Sequence, residues 1–194
     1  MERARDSSRG VAASRLLTPA GLSLALICFL FGFVAVSCET PGGYGRTGQG
    51  GTTTYTGLDL AIGASPTIDR GQVRPELAER PDALGWQPAI AMAALAIMVG
   101  VVAGAGLARR RRVLVVGSTA AAAVLLVLGE VLAHSQLVDR VAEQVRRPLP
   151  ADRVPGDYVV VGGGFPVALT ILVVVLACHL IGHVRRRTRP RRGT

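Results

Sequence analysis

The chain contains no lysine and no asparagine among its 194 residues, so all 22 basic side chains are arginine. Both missing residues have AT-rich codons, and the abundance of Ala, Gly, Arg, Val and Pro indicates a GC-rich genome. Arginine is therefore the default cation of this chain, and its use in place of lysine gives little support for phosphate recognition.

Cysteines and aromatic residues are also scarce, and each scarcity excludes a class of protein. Three cysteines, Cys28, Cys38 and Cys178, cannot form a disulfide framework, and no CxxC pair indicates a metal or redox centre. Aromatic side chains make up 4% of the residues, which argues against a stacking surface for single-stranded nucleic acid.

Four apolar stretches dominate what is present. They cover residues 16–37, 88–108, 113–133 and 165–184. At 1.5 Å per residue, each matches the roughly 30 Å thickness of a bilayer's hydrocarbon core. None has the polar stripe every 3.6 residues that marks a soluble helix. We therefore predict an all-α membrane protein, a bundle of four transmembrane helices.

Arginine is distributed unequally between the two sides of these spans. Fourteen arginines and two acids lie in the segments 1–15, 109–112 and 185–194, a net charge of +12. The other eight arginines and eleven acids, Glu130 included, lie on the opposite side, a net charge of −3. Because cytoplasmic segments carry the excess of arginine, we predict a bacterial cell-membrane protein with both termini in the cytoplasm. The Arg-rich inner face is expected to bind anionic lipids and no nucleic acid.

Two segments of unequal length are predicted outside the cell, at residues 38–87 and 134–164. In the first, the β-branched run Thr52 to Thr56, followed by Leu58 and Leu60, predicts a strand in a small extracellular β-containing cap. In the second, Leu137, Val141 and Val145 recur every four residues and predict an amphipathic helix that continues the third span. Its apolar stripe needs cover, which we expect from the first outer loop.

The end of the first span and the predicted strand carry a resemblance. Val36-Ser37-Cys38, the run from Thr54 to Ala61, and Gly63 resemble small uncharacterised multi-pass membrane proteins of GC-rich Gram-positive bacteria. The similarity covers residues 29–63 together with the four-span layout. It implies an integral membrane protein and brings no known activity or catalytic residue.

Cys38 also ends a run that is similar to a lipoprotein processing site. The position three residues before it is Ala35, where Leu, Val or Ile is usual, and the apolar run is longer than a typical signal core. We therefore expect an uncleaved span, with lipidation of Cys38 as the alternative.

Glu130 is the one acid within a predicted span, about one turn from its outer end. Burial would make it a site for a proton or a cation. The alternative is structural, because its side chain can reach the headgroup layer and Arg140 or His134 can neutralise it.

His179 and His183 lie four residues apart on the fourth span, next to Cys178, a spacing that suits two metal ligands. The alternative is that they are interfacial residues in the last helical turns before the arginine tail. We predict no bound metal and no cofactor.

Two further pairs have structural roles. Gly100 and Gly104 form a GxxxG motif, which predicts close helix packing either within the bundle or in a dimer. Trp86 and Tyr158 precede the second and fourth spans and are predicted interface anchors.

No residue set predicts an enzyme. The chain has no nucleophile with a placed base and no carboxylate pair in a span, and the glycines Gly43, Gly45 and Gly48 lack the strand–helix context of a dinucleotide site. We expect a non-enzymatic scaffold or accessory subunit that engages a protein partner, or a second copy, through its outer cap. The alternative is a small oligomeric transporter or channel using Glu130, and a membrane enzyme without an identifiable site comes third.

Overall fold

A computed structural model of the chain describes residues 18–37, 52–69, 84–105, 111–144 and 155–187. The helices are α1 (Thr18–Leu30), α2 (Gly57–Ile62), α3 (Pro88–Ala105), α4 (Arg111–Gln144) and α5 (Gly164–Arg187). The strands are β1 (Gly32–Ser37), β2 (Thr52–Thr56), β3 (Thr67–Asp69) and β4 (Val159–Val161), and a short 3-10 helix (Pro155–Tyr158) precedes β4.

Three of the helices are long and apolar enough to cross a membrane. Their apolar segments are Pro88–Ala105, Val113–Ala142 and Gly164–Gly182, with mean hydropathies of 2.2, 2.1 and 2.4. Large apolar side chains also cover their outer surfaces, including Val102, Val124 and Val173, each more than half exposed. A helix that is apolar on all sides needs lipid around it, so the membrane class of the protein is supported.

The first predicted span is wrong in its last third. The described part of α1 has 13 residues and rises about 20 Å, short of a bilayer's hydrocarbon core. The chain then changes to the strand Gly32–Ser37. Hydropathy identifies an apolar run without distinguishing a helix from a buried strand, and Phe33, Val34 and Val36 favour a strand. The count of four spans therefore stays a prediction.

β1 is a central strand of a four-stranded antiparallel sheet with the order β3-β2-β1-β4. Val34 pairs with Tyr55 on one side and with Val161 on the other. The predicted strand at Thr52–Thr56 is confirmed as β2. The residues expected to be the outer end of the first span thus form the middle of the cap.

The strand prediction was wrong at Leu58 and Leu60, which lie in the short helix α2. The Thr56 hydroxyl accepts a hydrogen bond from the Asp59 N–H, and the Asp59 carboxylate accepts one from the Thr56 N–H. This capping box starts the helix, and Gly63 ends it with a φ of +71°. Both ends of this helix are marked in the sequence, the start by Thr-x-x-Asp and the end by a glycine four residues beyond the Asp.

Phe33 joins the sheet to the helices. It is fully buried, and its ring centroid lies 5.0 Å from that of Phe29 in α1 and 6.2 Å from that of Phe165 in α5. A Cβ added to Gly57 would lie 2.7 Å from the Phe33 ring, so only glycine fits at the start of α2. One side chain therefore fixes α1, α2 and α5 relative to the sheet.

α4 continues without a break from the membrane-spanning part to Gln144, over about 51 Å. This is the helical continuation that the spacing of Leu137 and Val141 predicts. Leu137 is buried, and β1, β4 and the 3-10 helix pack on α4 in addition to α3 and α5. The sequence predicts cover from the first outer loop; among the described residues, elements of the second outer loop and the end of the first apolar stretch also pack on this helix.

The close approach of β4 to β1 predicts that Gly162→Ala destabilises the protein. The Gly162 N–H donates to the Phe33 carbonyl, and an added Cβ would overlap the carbonyl oxygen of Gly32. Such overpacking lowers the free energy of unfolding by about 1–3 kcal/mol. The measurement is thermal and urea unfolding in detergent micelles, followed by circular dichroism.

The neighbouring Gly163 supplies the control, because nothing lies within 4 Å of the position of its added Cβ. Gly163→Ala is expected to change the free energy of unfolding by less than about 0.5 kcal/mol. Equal effects of the two substitutions would contradict the described contact between β4 and β1.

Candidate functional site

Glu130 lies on the inward stripe of α4 and is buried, with 5% of its surface exposed. Leu126 and Ala133 on the same stripe are fully buried. Neither carboxylate oxygen has a hydrogen-bond partner among the described residues. Removing an ionised carboxylate from water without compensation costs several kcal/mol, so this side chain is a source of instability in the fold.

The groups named in the structural alternative for Glu130 do not hydrogen-bond to it. Its side chain is enclosed by the protein. Arg140 is ten residues further along the same helix, about 15 Å along the axis, and cannot reach it directly. His134 is one turn away, but no hydrogen bond joins the two side chains.

His134 has its own unsatisfied atom. Its Nδ1 is buried and has no hydrogen-bond partner among the described residues. Residues four apart lie on one face of a helix, with Cβ atoms about 6 Å apart. The carboxyl of Glu130 and the imidazole of His134 are therefore neighbours that a change of side-chain rotamer would bring into contact.

Gln87, the residue before α3, links the start of that helix to α4 and α2. Its side-chain amide donates to the Gln136 carbonyl oxygen at 2.8 Å, which ties α3 to α4. Its backbone N–H donates to the Leu60 carbonyl at 2.9 Å, which ties α3 to α2. Gln87 is 4% exposed whereas Gln136 is exposed, so the side-chain bond between them is partly buried.

α3 packs closely on α4 at Gly129, the residue before Glu130. The backbone nitrogen of Ile90 lies 3.2 Å from the position that a Cβ on Gly129 would take, and its side chain is closer. Only glycine allows this approach of α3 to α4. Among the residues that the structure describes here, no nucleophile lies beside a base for covalent chemistry.

The two candidate metal ligands lie at the other end of the bundle. The imidazole Nε2 of His179 is 3.1 Å from the hydroxyl of Thr18, so this residue joins α5 to the start of α1. Cys178 is exposed, and the side chain of His183 lies outside the described residues. Within the described ranges, no three His, Cys, Asp or Glu side chains come together.

The GxxxG face of α3 packs inside the chain's own bundle. A Cβ on Gly100 would lie 2.9 Å from Leu22 of α1 and 2.9 Å from Ser118 of α4. At Gly104 the nearest atom, on Thr18, is at 3.6 Å, an ordinary contact. The described contacts of the motif are therefore intramolecular.

The two aromatic residues predicted as interface anchors differ in exposure. Trp86 is 65% exposed just before α3, and its backbone nitrogen lies 3.0 Å from the position of a Cβ on Gly63 at the end of α2. In α2, Ile62 is 64% exposed and Leu58 is 43% exposed. Tyr158 is 7% exposed, so the anchor prediction is wrong for its ring, which packs inside the protein. The position of Tyr158 just before a span did not predict its burial, because the burial depends on the packing of the 3-10 helix against α4.

Several predicted features lie outside the described residues. These are the N-terminal tail, Cys38, the glycines Gly43, Gly45 and Gly48, the side chains of the arginine turn 109–112, Val145, and the end of the C-terminal tail.

No protein-family model matches the chain, and no curated protein is significantly similar to it. The resemblance to small uncharacterised membrane proteins therefore stays a prediction.

Trp86 is the single tryptophan of the chain, so its fluorescence reports directly on the patch formed by Leu58, Ile62 and Trp86. We expect the patch to lie in the lipid interface, because aromatic and apolar side chains at a span start favour that layer. In bilayers, lipids brominated near the carbonyl end should quench Trp86 more than lipids brominated at the chain end, and more than aqueous iodide.

Ile62→Asp should reduce the quenching by brominated lipid, because it places a charge beside Trp86. Ser65→Asp is the matched control, since Ser65 is an exposed polar residue of the same segment. Stronger quenching by iodide than by either lipid would place the patch in water and contradict the prediction.

Proposed function

We propose that the protein is a membrane scaffold or accessory subunit whose cap binds an integral membrane partner. The observation that carries this proposal is the apolar edge of the sheet at β4. Val160 and Val161 are 52% and 47% exposed, and β4 pairs with β1 alone among the described strands. Sheet edges are normally protected by charges or proline, and an apolar, unpaired edge is a template for a partner.

The position of β4 favours a partner in the same membrane. β4 is followed by Gly162 and Gly163, and the apolar helix α5 begins at Gly164. An apolar edge immediately above a membrane-spanning helix is accessible to another integral membrane protein, and less so to a soluble protein.

The proposed orientation places the cap outside the cell and both termini in the cytoplasm. Two observations support it. The hydrogen bond between Thr18 and His179 brings the start of α1 to the last turns of α5, and Gly104 near the end of α3 lies beside Thr18. The arginine-rich segments of the sequence all flank this one end of the bundle, as the positive-inside rule requires.

Photo-crosslinking in native membranes tests the partner. With benzoylphenylalanine in place of Val161, we expect one discrete protein adduct, because the β4 edge contacts the partner. The same probe in place of Val124 is the control, since that residue is 67% exposed in the middle of α4 and should contact lipid.

A charged residue on the β4 edge tests whether the apolar surface is needed for partner binding. Val160→Asp, combined with the probe at 161, should abolish the protein adduct while the unfolding temperature in detergent stays unchanged. Lipid adducts alone at position 161, or the same adduct from positions 161 and 124, would contradict the proposal.

A small transporter or channel is the second candidate, and the burial of Glu130 without a partner favours it. Unpaired acids within membrane-spanning helices commonly mark ion or proton pathways. In this reading the chain would work as an oligomer, with Glu130 on the path.

Liposome flux tests this candidate. The wild-type protein should carry protons or monovalent cations down a gradient, and Glu130→Gln should reduce the rate because it removes the ionisable group while keeping the shape. Asp139→Asn, at an exposed acid of the same helix, should leave the rate unchanged. Absence of flux in the wild type would exclude the candidate.

A further inference from the structure

Three buried polar atoms without hydrogen-bond partners lie within two turns of α4. They are the two carboxylate oxygens of Glu130 and Nδ1 of His134. Among the described residues of α4, the other buried polar side chain is satisfied, since the Thr119 hydroxyl donates to the Val115 carbonyl at 2.7 Å. Within the described part of α4, the unsatisfied atoms are thus confined to one pair of side chains, which points to a missing ligand.

The donor and acceptor inventory of the pair limits what that ligand is. A carboxylate only accepts hydrogen bonds, and Nδ1 accepts when the imidazole carries its proton on Nε2. One proton on Glu130 turns the carboxyl into a donor, for which Nδ1 of His134 is the acceptor. The same proton removes the negative charge from the interior.

A metal ion fits the pair less well. Metal sites in proteins generally use at least three protein ligands, and no third His, Cys, Asp or Glu side chain joins the pair within the described ranges. A proton needs only the two groups that are present.

The elements packed against α4 add few titratable groups that compete for this proton. The sequences of β1, β4 and α3 contain none. The 3-10 helix contributes Asp157, which is exposed, and Tyr158, which is buried, and both have interactions of their own. In α5, Cys178 and His179 lie near the opposite end, at the level of Thr18.

We propose that Glu130 and His134 form a proton-binding site in which the carboxyl O–H of Glu130 donates to Nδ1 of His134. The pair holds one proton and exchanges it with solvent. The inference goes beyond the proposed functions, because it requires neither a partner at β4 nor transport across the membrane.

Dicyclohexylcarbodiimide tests the site in the full-length protein in nanodiscs. The reagent is apolar, and it adds a protonated carboxyl across its C=N bond, with the carboxyl proton passing to nitrogen and no leaving group. Peptide mapping by mass spectrometry measures the adducts. At pH 6.5 Glu130 should be labelled about tenfold or more above Asp139, because exposed carboxyls are almost fully ionised at that pH.

The role of His134 is tested by His134→Gln. Loss of the acceptor should reduce labelling of Glu130 at pH 6.5 by about two- to tenfold, the factor that one net hydrogen bond is worth. Ser135→Ala is the control, since that exposed hydroxyl donates to Leu132 of its own helix. Helix content by circular dichroism shows whether the variants are folded.

Three results would overturn the proposal. Equal labelling of Glu130 and Asp139 would show that the carboxyl is not held protonated. Unchanged labelling in His134→Gln would remove His134 from the site. Protection of Glu130 by Zn²⁺ at constant pH would assign the pair to a metal ion. Because labelling needs no partner and no gradient, its failure is distinguishable from failure of the crosslinking or the flux experiment.

Discussion

The fold depends on satisfying the backbone where the chain leaves α1. An apolar environment offers no water to unpaired N–H and C=O groups, so a chain that stops being helical there must find partners within the protein. β1 meets this requirement because it pairs on both sides, with β2 and with β4. The cap and the helices are consequently one structure, and Phe33, at the centre of the change from helix to strand, packs on both.

The same constraint explains the glycines at the junction. The chain returns from β4 to α5 across β1, and at Gly164 an added Cβ would lie 3.0 Å from the carbonyl oxygens of Cys28, Phe31 and Gly32. Three carbonyls that meet one Cα position leave no room for a side chain. The backbone at the start of α5 thus packs directly against the backbone between α1 and β1.

Much of the helical architecture follows from the sequence, whereas the cap and the candidate site follow only in part. Hydropathy predicts α3, α4 and α5, and the period of Leu137 and Val141 predicts the extension of α4. Hydropathy cannot predict that Phe33 to Val36 form a strand, because their partners are distant in sequence. Glu130 is conspicuous in the sequence as an acid in an apolar run, but its lack of a partner depends on how α3 closes over α4.

Pairing between β1 and β4 sets an order on biosynthesis. Val34 and Val161 are neighbours in the sheet, yet more than 120 residues separate them along the chain. β4 is synthesised only after α3 and α4. The edge of β1 that pairs with β4 therefore stays unpaired until both helices have been made. The sheet closes last, and each loop closure of this length slows folding. In the proposed orientation, a chain that placed β4 and β1 on opposite sides of the membrane could not complete this sheet.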